Sequence, residues 1–309
     1  MRKTLIWGGQ IALLAAVGWF AWRNLRGQWT DFQAVREQVM FSPGWVLLAF
    51  LGVFTAYAVL IWAWKTVLQG WHQQLPYATA ARVWSLSNLG RYLPGKVWSV
   101  AGLAVLAQRS GVSGGAAVGS ALAMQALSIG TGVGISAALL AGDFASPGVR
   151  PLGLIVAGVI ALGSVGVLTA PRLVDLTNRI TRGRFSLKVL PLRAALDGIV
   201  ATAVGWVLYG FVLWLLAKGI VPDHVPALPV AIGTFAAAYI VGFIAIFAPG
   251  GVVVREVTLA GLLSPVTGAG AAAVLAVGSR LLLTLTELAA PGLASLLPRY
   301  AKGRSVDNA

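Results

Sequence analysis

Cysteine is absent from all 309 residues of this chain, acidic side chains number only 9, and histidines only 2. The first absence excludes disulfides, thiolate metal sites and cysteine nucleophiles. The two histidines, His72 and His224, stand singly in loops without the grouped ligands a metal needs, so no metal site is expected. No Walker loop, HExxH pair or nucleophile elbow occurs, which leaves no support for ATP-driven pumping or a recognised hydrolytic centre, and no cofactor is expected. "GAGAAA" at 268–273 formally fits a dinucleotide fingerprint variant, but no strand precedes it and it opens an apolar run. Charged residues make up 10% of the chain, against about a quarter in soluble globular proteins. That is too little charge to clothe a soluble domain.

What is present is apolar length. The chain is 58% hydrophobic with a mean hydropathy of +0.83, and several runs reach the roughly 20 residues that cross a bilayer as helix. The fold class expected is an all-α integral membrane protein. Full spans are predicted at Leu5–Trp22, Gly44–Trp64, Gly115–Ala141, Arg150–Ala170, Ala194–Lys218 and Gly268–Leu297. Leu5–Trp22 follows Arg2-Lys3 as a signal sequence would. It lacks a small-residue cleavage site and ends in Trp19, Phe20 and Trp22, so it reads as a retained span. Between the first two spans, "QWTDFQAVREQVM" at 28–40 puts Phe32, Val35 and Val39 on one helical face, the pattern of an interfacial helix.

The excess of 23 basic residues over 9 acidic ones fits the positive-inside rule and anionic lipid, and no soluble basic domain is present to bind nucleic acid. Residues 171–193 carry Arg172, Arg179, Arg182, Arg184, Lys188 and Arg193 against Asp175 alone, which marks a cytoplasmic loop. Residues 65–114 carry Lys65, Arg82, Arg91, Lys96 and Arg109 with no acid, so their ends are cytoplasmic too. Both termini are placed in the cytoplasm of a multi-pass plasma-membrane protein.

Two stretches do not read as simple spans. Tyr77–Arg109 is broken at Pro94-Gly95, and each arm of about 14 residues makes only about 21 Å of helix, short of a ~30 Å bilayer core. Pro229–Ser264 is broken at "APGGVVVRE", residues 248–256. Each is expected to be a re-entrant hairpin, although Pro229–Ala248 alone is long enough to span, which would move the basic tail outside. The predicted architecture is six full spans plus two broken hairpins in one polytopic domain, 1–309. Its halves, about 1–145 and 146–298, form an inverted-topology repeat, followed by a cytoplasmic tail, 299–309. Interrupted segments at matching positions point to a transport site near the midplane.

Each break starts a new helix whose free N–H groups and positive dipole end attract phosphate or carboxylate. Asn88, Arg91, Pro94, Gly95 and Lys96 surround the first break; Pro249, Gly250, Gly251, Arg255 and Glu256 surround the second. A lysine near a helix end also snorkels, so an interfacial reading of Lys96 stands beside the binding one. Arg280 and Glu287 lie seven residues apart on one face of the last span, too far for a direct pair. Each is expected to meet another element, with Glu256 the candidate for Arg280. Glu287 reads either as a buried structural carboxylate or as a proton-coupling group. GxxxG spacings at Gly111, Gly115 and Gly119 and at Gly130 and Gly134 fit close helix packing.

"NLGRYLPGKVW", then "FAPGGVVVREVTLAGLL", then the span bearing Arg280, resemble the lysylphosphatidylglycerol synthase transmembrane, or flippase-like, family from about Gly44 to Leu297. Asn88, Leu93, Pro94 and Gly95, then Pro249, Gly250, Gly251, Arg255 and Glu256, fall on its motifs. One departure is Val252-Val253-Val254, where many relatives have x-Gly-Val, a bulkier backbone at that tip. The resemblance implies a membrane domain that moves an anionic or aminoacylated lipid between leaflets, some relatives being linked to polyprenyl-phosphate glycans. Full-length lysyltransferases continue into a soluble catalytic domain, so this chain is not expected to aminoacylate lipid itself.

The function expected is therefore a lipid translocator for an anionic or aminoacylated phospholipid or a polyprenyl-phosphate-linked lipid, not an enzyme. A membrane-embedded transferase using a polyprenyl-phosphate sugar, with Glu256 as base, is a second reading. A non-transporting partner of a synthase complex is a third, and a homo-oligomer is compatible with each.

Overall fold

The computed structural model describes residues 39–92, 97–144, 171–180, 189–245 and 253–297, with isolated positions 158 and 163. The expected first span Leu5–Trp22, nearly all of Arg150–Ala170, and both Pro-Gly corners lie outside the described residues. The described residues form helices and turns only.

In chain order the helices are α1 (Pro43–Gly70), α2 (Tyr77–Asn88), a 3-10 turn (Leu89–Tyr92), α3 (Val97–Arg109) and α4 (Gly114–Phe144). The amphipathic α5 (Pro171–Ile180), α6 (Leu192–Ile220), α7 (Leu228–Ile244), α8 (Val254–Thr267) and α9 (Ala269–Leu296) follow. Four of them, α1, α4, α6 and α9, are long and apolar enough to cross a membrane. α1 has 28 residues, about 42 Å of helix, more than a bilayer core needs without tilt. The other four expected spans, Gly44–Trp64, Gly115–Ala141, Ala194–Lys218 and Gly268–Leu297, map onto these four helices to within a few residues at most ends. The loop expected at 171–193 begins instead with α5, in whose sequence Leu173, Leu176 and Ile180 recur at helical spacing.

Helix ends follow local chemistry. Pro43 and Pro229 occupy first-turn positions of α1 and α7, where the missing N–H is harmless. Gly268, at φ +81°, separates α8 from α9, a conformation that L side chains resist. Gly111 is a correction to the packing role read from its spacing: it sits in the turn after α3 at φ +95° with open space around it. Arg82 caps the far end of α9, its Nε donating to the Ala294 carbonyl at 3.1 Å and an Nη to that of Leu297.

The short arms fold back on each other. α2 packs against α3, and α7 against α8. In the first pair a methyl added to Gly90 would lie 2.8 Å from the backbone of Trp98 and Ser99; in the second, one on Gly242 would lie 2.8 Å from Arg255 Cβ. Each hairpin thus closes over a glycine that leaves room for the opposite arm. α1 and α6 form the broadest helix contact, α7 lies against α4 and α2 against α9, and α3 and α8 pack on α4 and α9.

Trp64 and Phe235 are among the largest fully buried side chains of the core. Trp64 Nε1 donates to Ser120 Oγ at 3.0 Å, Trp206 Nε1 to the Ser128 carbonyl at 3.0 Å, and the Thr131 and Thr202 hydroxyls meet at 3.1 Å. These bonds tie α1 and α6 to α4 and satisfy polar groups that hydrocarbon would leave bare. Outward faces stay apolar, as with Leu281, Leu285 and Leu288 on α9, each about 60% exposed.

Candidate functional site

An Arg at bilayer depth costs about 2.5–3.5 kcal/mol even on insertion scales, so its partners are informative. Arg91, on the turn after α2, reaches across to α9, where its Nη1 pairs with Glu287 Oε1. Its Nη2 donates to Asn88 Oδ1 at 3.1 Å, and the Tyr92 hydroxyl donates to Glu287 Oε2 at 2.5 Å. Glu287 is 5% exposed. It is a buried carboxylate held by the first hairpin.

Arg255, in the first turn of α8, is 3% exposed. Its Nη2 donates to Ser279 Oγ at 3.4 Å, and its guanidinium lies 5.1 Å from the centre of the Phe235 ring. Glu256 Oε1 stands 3.6 Å from Arg255 Nη1 and 3.9 Å from Arg280 Nη1, so the partnership expected for Arg280 is present. These distances are ion pairs without hydrogen bonds: both Glu256 oxygens and Arg255 Nε are buried with no hydrogen-bond partner. Arg280 also lies 5.9 Å over the Tyr92 ring.

Helix α8 starts from a strained residue. Val253, its N-cap, sits at φ +71°, ψ −51°, the rare γ-turn region, which penalises a β-branched side chain. Such outliers persist where the surrounding structure enforces them. Here Arg255 and Glu256 follow it by two and three residues, in the first turn of α8.

One cavity joins these groups. Asn88, Arg91, Arg255, Arg280 and Glu287 line a space of about 170 Å³, more than ten times what a single water needs. Tyr57, Tyr209 and Tyr239 line it as well, with Trp84, Trp206, Gln125 and Ser128. Three arginines and Glu287 line it, and Glu256 pairs with two of those arginines, so that among the described residues one positive charge is in excess. Lys96, Pro94, Gly95, Pro249, Gly250 and Gly251 of the expected site lie outside the described residues.

The tyrosines were missed by sequence reading. Of six in the chain, Tyr57, Tyr209 and Tyr239 line the cavity and Tyr92 binds Glu287. A phenol in the middle of an apolar span needs a hydrogen-bond partner, and that was the available signal.

Apolar helices of spanning length around a charged internal cavity define a multi-pass membrane protein with a polar site at its centre. The chain matches the lysylphosphatidylglycerol synthase TM region family over residues 7–290, and it belongs to that family. No curated protein matches the sequence.

Proposed function

We propose that this protein is a lipid translocator that carries an anionic head group through the Arg91–Arg255–Arg280 cavity while the acyl or prenyl tails remain in the bilayer. The observation that carries this reading is the meeting of three guanidinium groups on one cavity with only two carboxylates to balance them. A buried positive excess favours phosphate. It favours an anionic phospholipid or polyprenyl phosphate over an aminoacylated, cationic head group.

The packing pattern supports the inverted repeat. Exchanging α1 with α6, the α2–α3 hairpin with α7–α8, and α4 with α9 maps the principal helix contacts onto one another. The arms of 12, 13 and 14 residues in α2, α3 and α8 amount to about 18–21 Å each, a length that suits re-entrant hairpins entering from opposite leaflets of the plasma membrane. Alternating exposure comes from rocking one half against the other. Without a nucleotide site, movement runs downhill or is coupled to an ion gradient. The protein performs no bond chemistry in this reading, since both nearby carboxylates are engaged with arginines.

The test is leaflet exchange of a tail-labelled anionic phospholipid in proteoliposomes. Wild-type protein accelerates exchange, and Arg255→Ala lowers the rate by tenfold or more, the scale of one charge-assisted hydrogen bond. Arg255→Lys recovers little, because an ammonium cannot reproduce the guanidinium's contacts with Ser279 and Phe235. Exchange that survives both substitutions refutes the site.

A further inference from the structure

Native proteins satisfy nearly all buried polar atoms, so each exception needs a reason. Two exceptions in the cavity wall are unrelated to its arginines. The Tyr57 hydroxyl is buried without a hydrogen-bond partner, and Tyr57 is 5% exposed. Trp84 Nε1 is buried and unpartnered too. Both residues line the cavity. The neighbouring Thr286 hydroxyl gives its proton to the carbonyls of Leu282 and Leu283, at 3.0 and 2.8 Å, and so does not donate to Tyr57.

Neither side chain is free to swing away. The Tyr57 ring packs edge-on to Phe54 at 6.1 Å, and Trp84 lies 6.0 Å from Trp64, whose own N–H is held by Ser120. Trp84 precedes Arg91 by seven residues on the side of α2 and its 3-10 turn that faces the cavity, about 10–12 Å along the axis. Ser87 and Asn88 lie between them on that face and line the cavity as well. A phosphate held at the arginines therefore leaves a neutral hydrogen-bonding wall further along the cavity.

We propose that Tyr57 and Trp84 form a second, uncharged half of the binding site that reads the head group beyond its phosphate. This rests on the anionic-lipid reading above and narrows it. An indole N–H only donates, so its partner is an oxygen acceptor rather than an ammonium. The ligand class is a phosphodiester lipid whose head group carries hydroxyl oxygens, as a glycerol or a sugar does, and not a bare phosphate monoester.

The test uses the full chain in phosphatidylcholine nanodiscs doped in turn with phosphatidic acid, phosphatidylglycerol or phosphatidylinositol, with retained lipid quantified by mass spectrometry. The wild type retains at least one of the two hydroxylated lipids about tenfold over phosphatidic acid, the scale of a buried hydrogen bond. Which of the two leads distinguishes a glycerol from a ring. Tyr57→Phe and Trp84→Phe each reduce that preference several-fold, and an unchanged Tm in detergent shows that the variants are folded. Equal retention of all three lipids, or a preference that survives both substitutions, overturns the proposal while leaving the arginine site standing. Retention of none of the three overturns both.

Discussion

Arg280 and Glu287 stand two turns apart on one face of α9, and each holds a charged residue from a different hairpin. Glu287 takes Arg91 from the first hairpin; Arg280 takes Glu256 from the second. A single helix therefore registers both interrupted segments by ion pairs of opposite polarity. Unlike charges on the two hairpins, matched to unlike charges on α9, prevent either hairpin from occupying the other's place.

Glu287→Gln leaves Arg91 and Tyr92 facing an amide in a buried site. Removing one partner of a buried pair costs about 3–5 kcal/mol, and the partial exposure of Arg91 lowers this to roughly 2–3 kcal/mol by the same reasoning. Thermal unfolding in detergent reads the loss as a lower Tm. The double variant Arg91→Gln/Glu287→Gln recovers part of it, because no uncompensated charge remains. A single variant as stable as wild type contradicts the pairing.

Gly242→Ala places a methyl 2.8 Å from Arg255 Cβ, forcing the arms of the second hairpin apart and shifting the guanidinium. The expected destabilisation is about 1–3 kcal/mol, as for other overpacked sites, with lipid exchange falling further than the stability loss explains. Gly261→Ala on α8 is the control. Nothing lies within 4 Å of its added carbon, so it is neutral or stabilises the helix by up to about 1 kcal/mol.

Val253→Gly relieves the positive φ at the start of α8. It raises Tm by the equivalent of about 1 kcal/mol, the lower end of the strain of such backbone states, less whatever packing the valine side chain provides. A fall in Tm would mean that the packing outweighs the strain.

Much of this arrangement was legible in the sequence. The four long helices declared themselves by apolar length, and the two Pro-Gly breaks fell between the paired short helices, although a third such pair, Pro291-Gly292, runs on inside α9. Arg255, Glu256 and Arg280 were identifiable because charge is costly in an apolar run, and the pairing of Arg280 with Glu256 followed from the same shortage of acids. The partner of Arg91 was not legible. Glu287 is 196 residues away, and only the fold brings α9 against the first hairpin. Tyr57 and Trp84 escaped for a different reason: aromatic residues in spans usually serve as packing, and their polar tips acquire meaning only when seen without partners.

Absence of cysteine makes the most direct test simple. Gln125 lines the cavity, so Gln125→Cys introduces a single thiol there, and its rate of modification by a small maleimide reports occupancy. A short-chain phosphatidylglycerol slows modification several-fold, the matching phosphatidylcholine does not, and Arg255→Ala abolishes the protection. Equal rates with both lipids would show that no anionic head group enters the cavity.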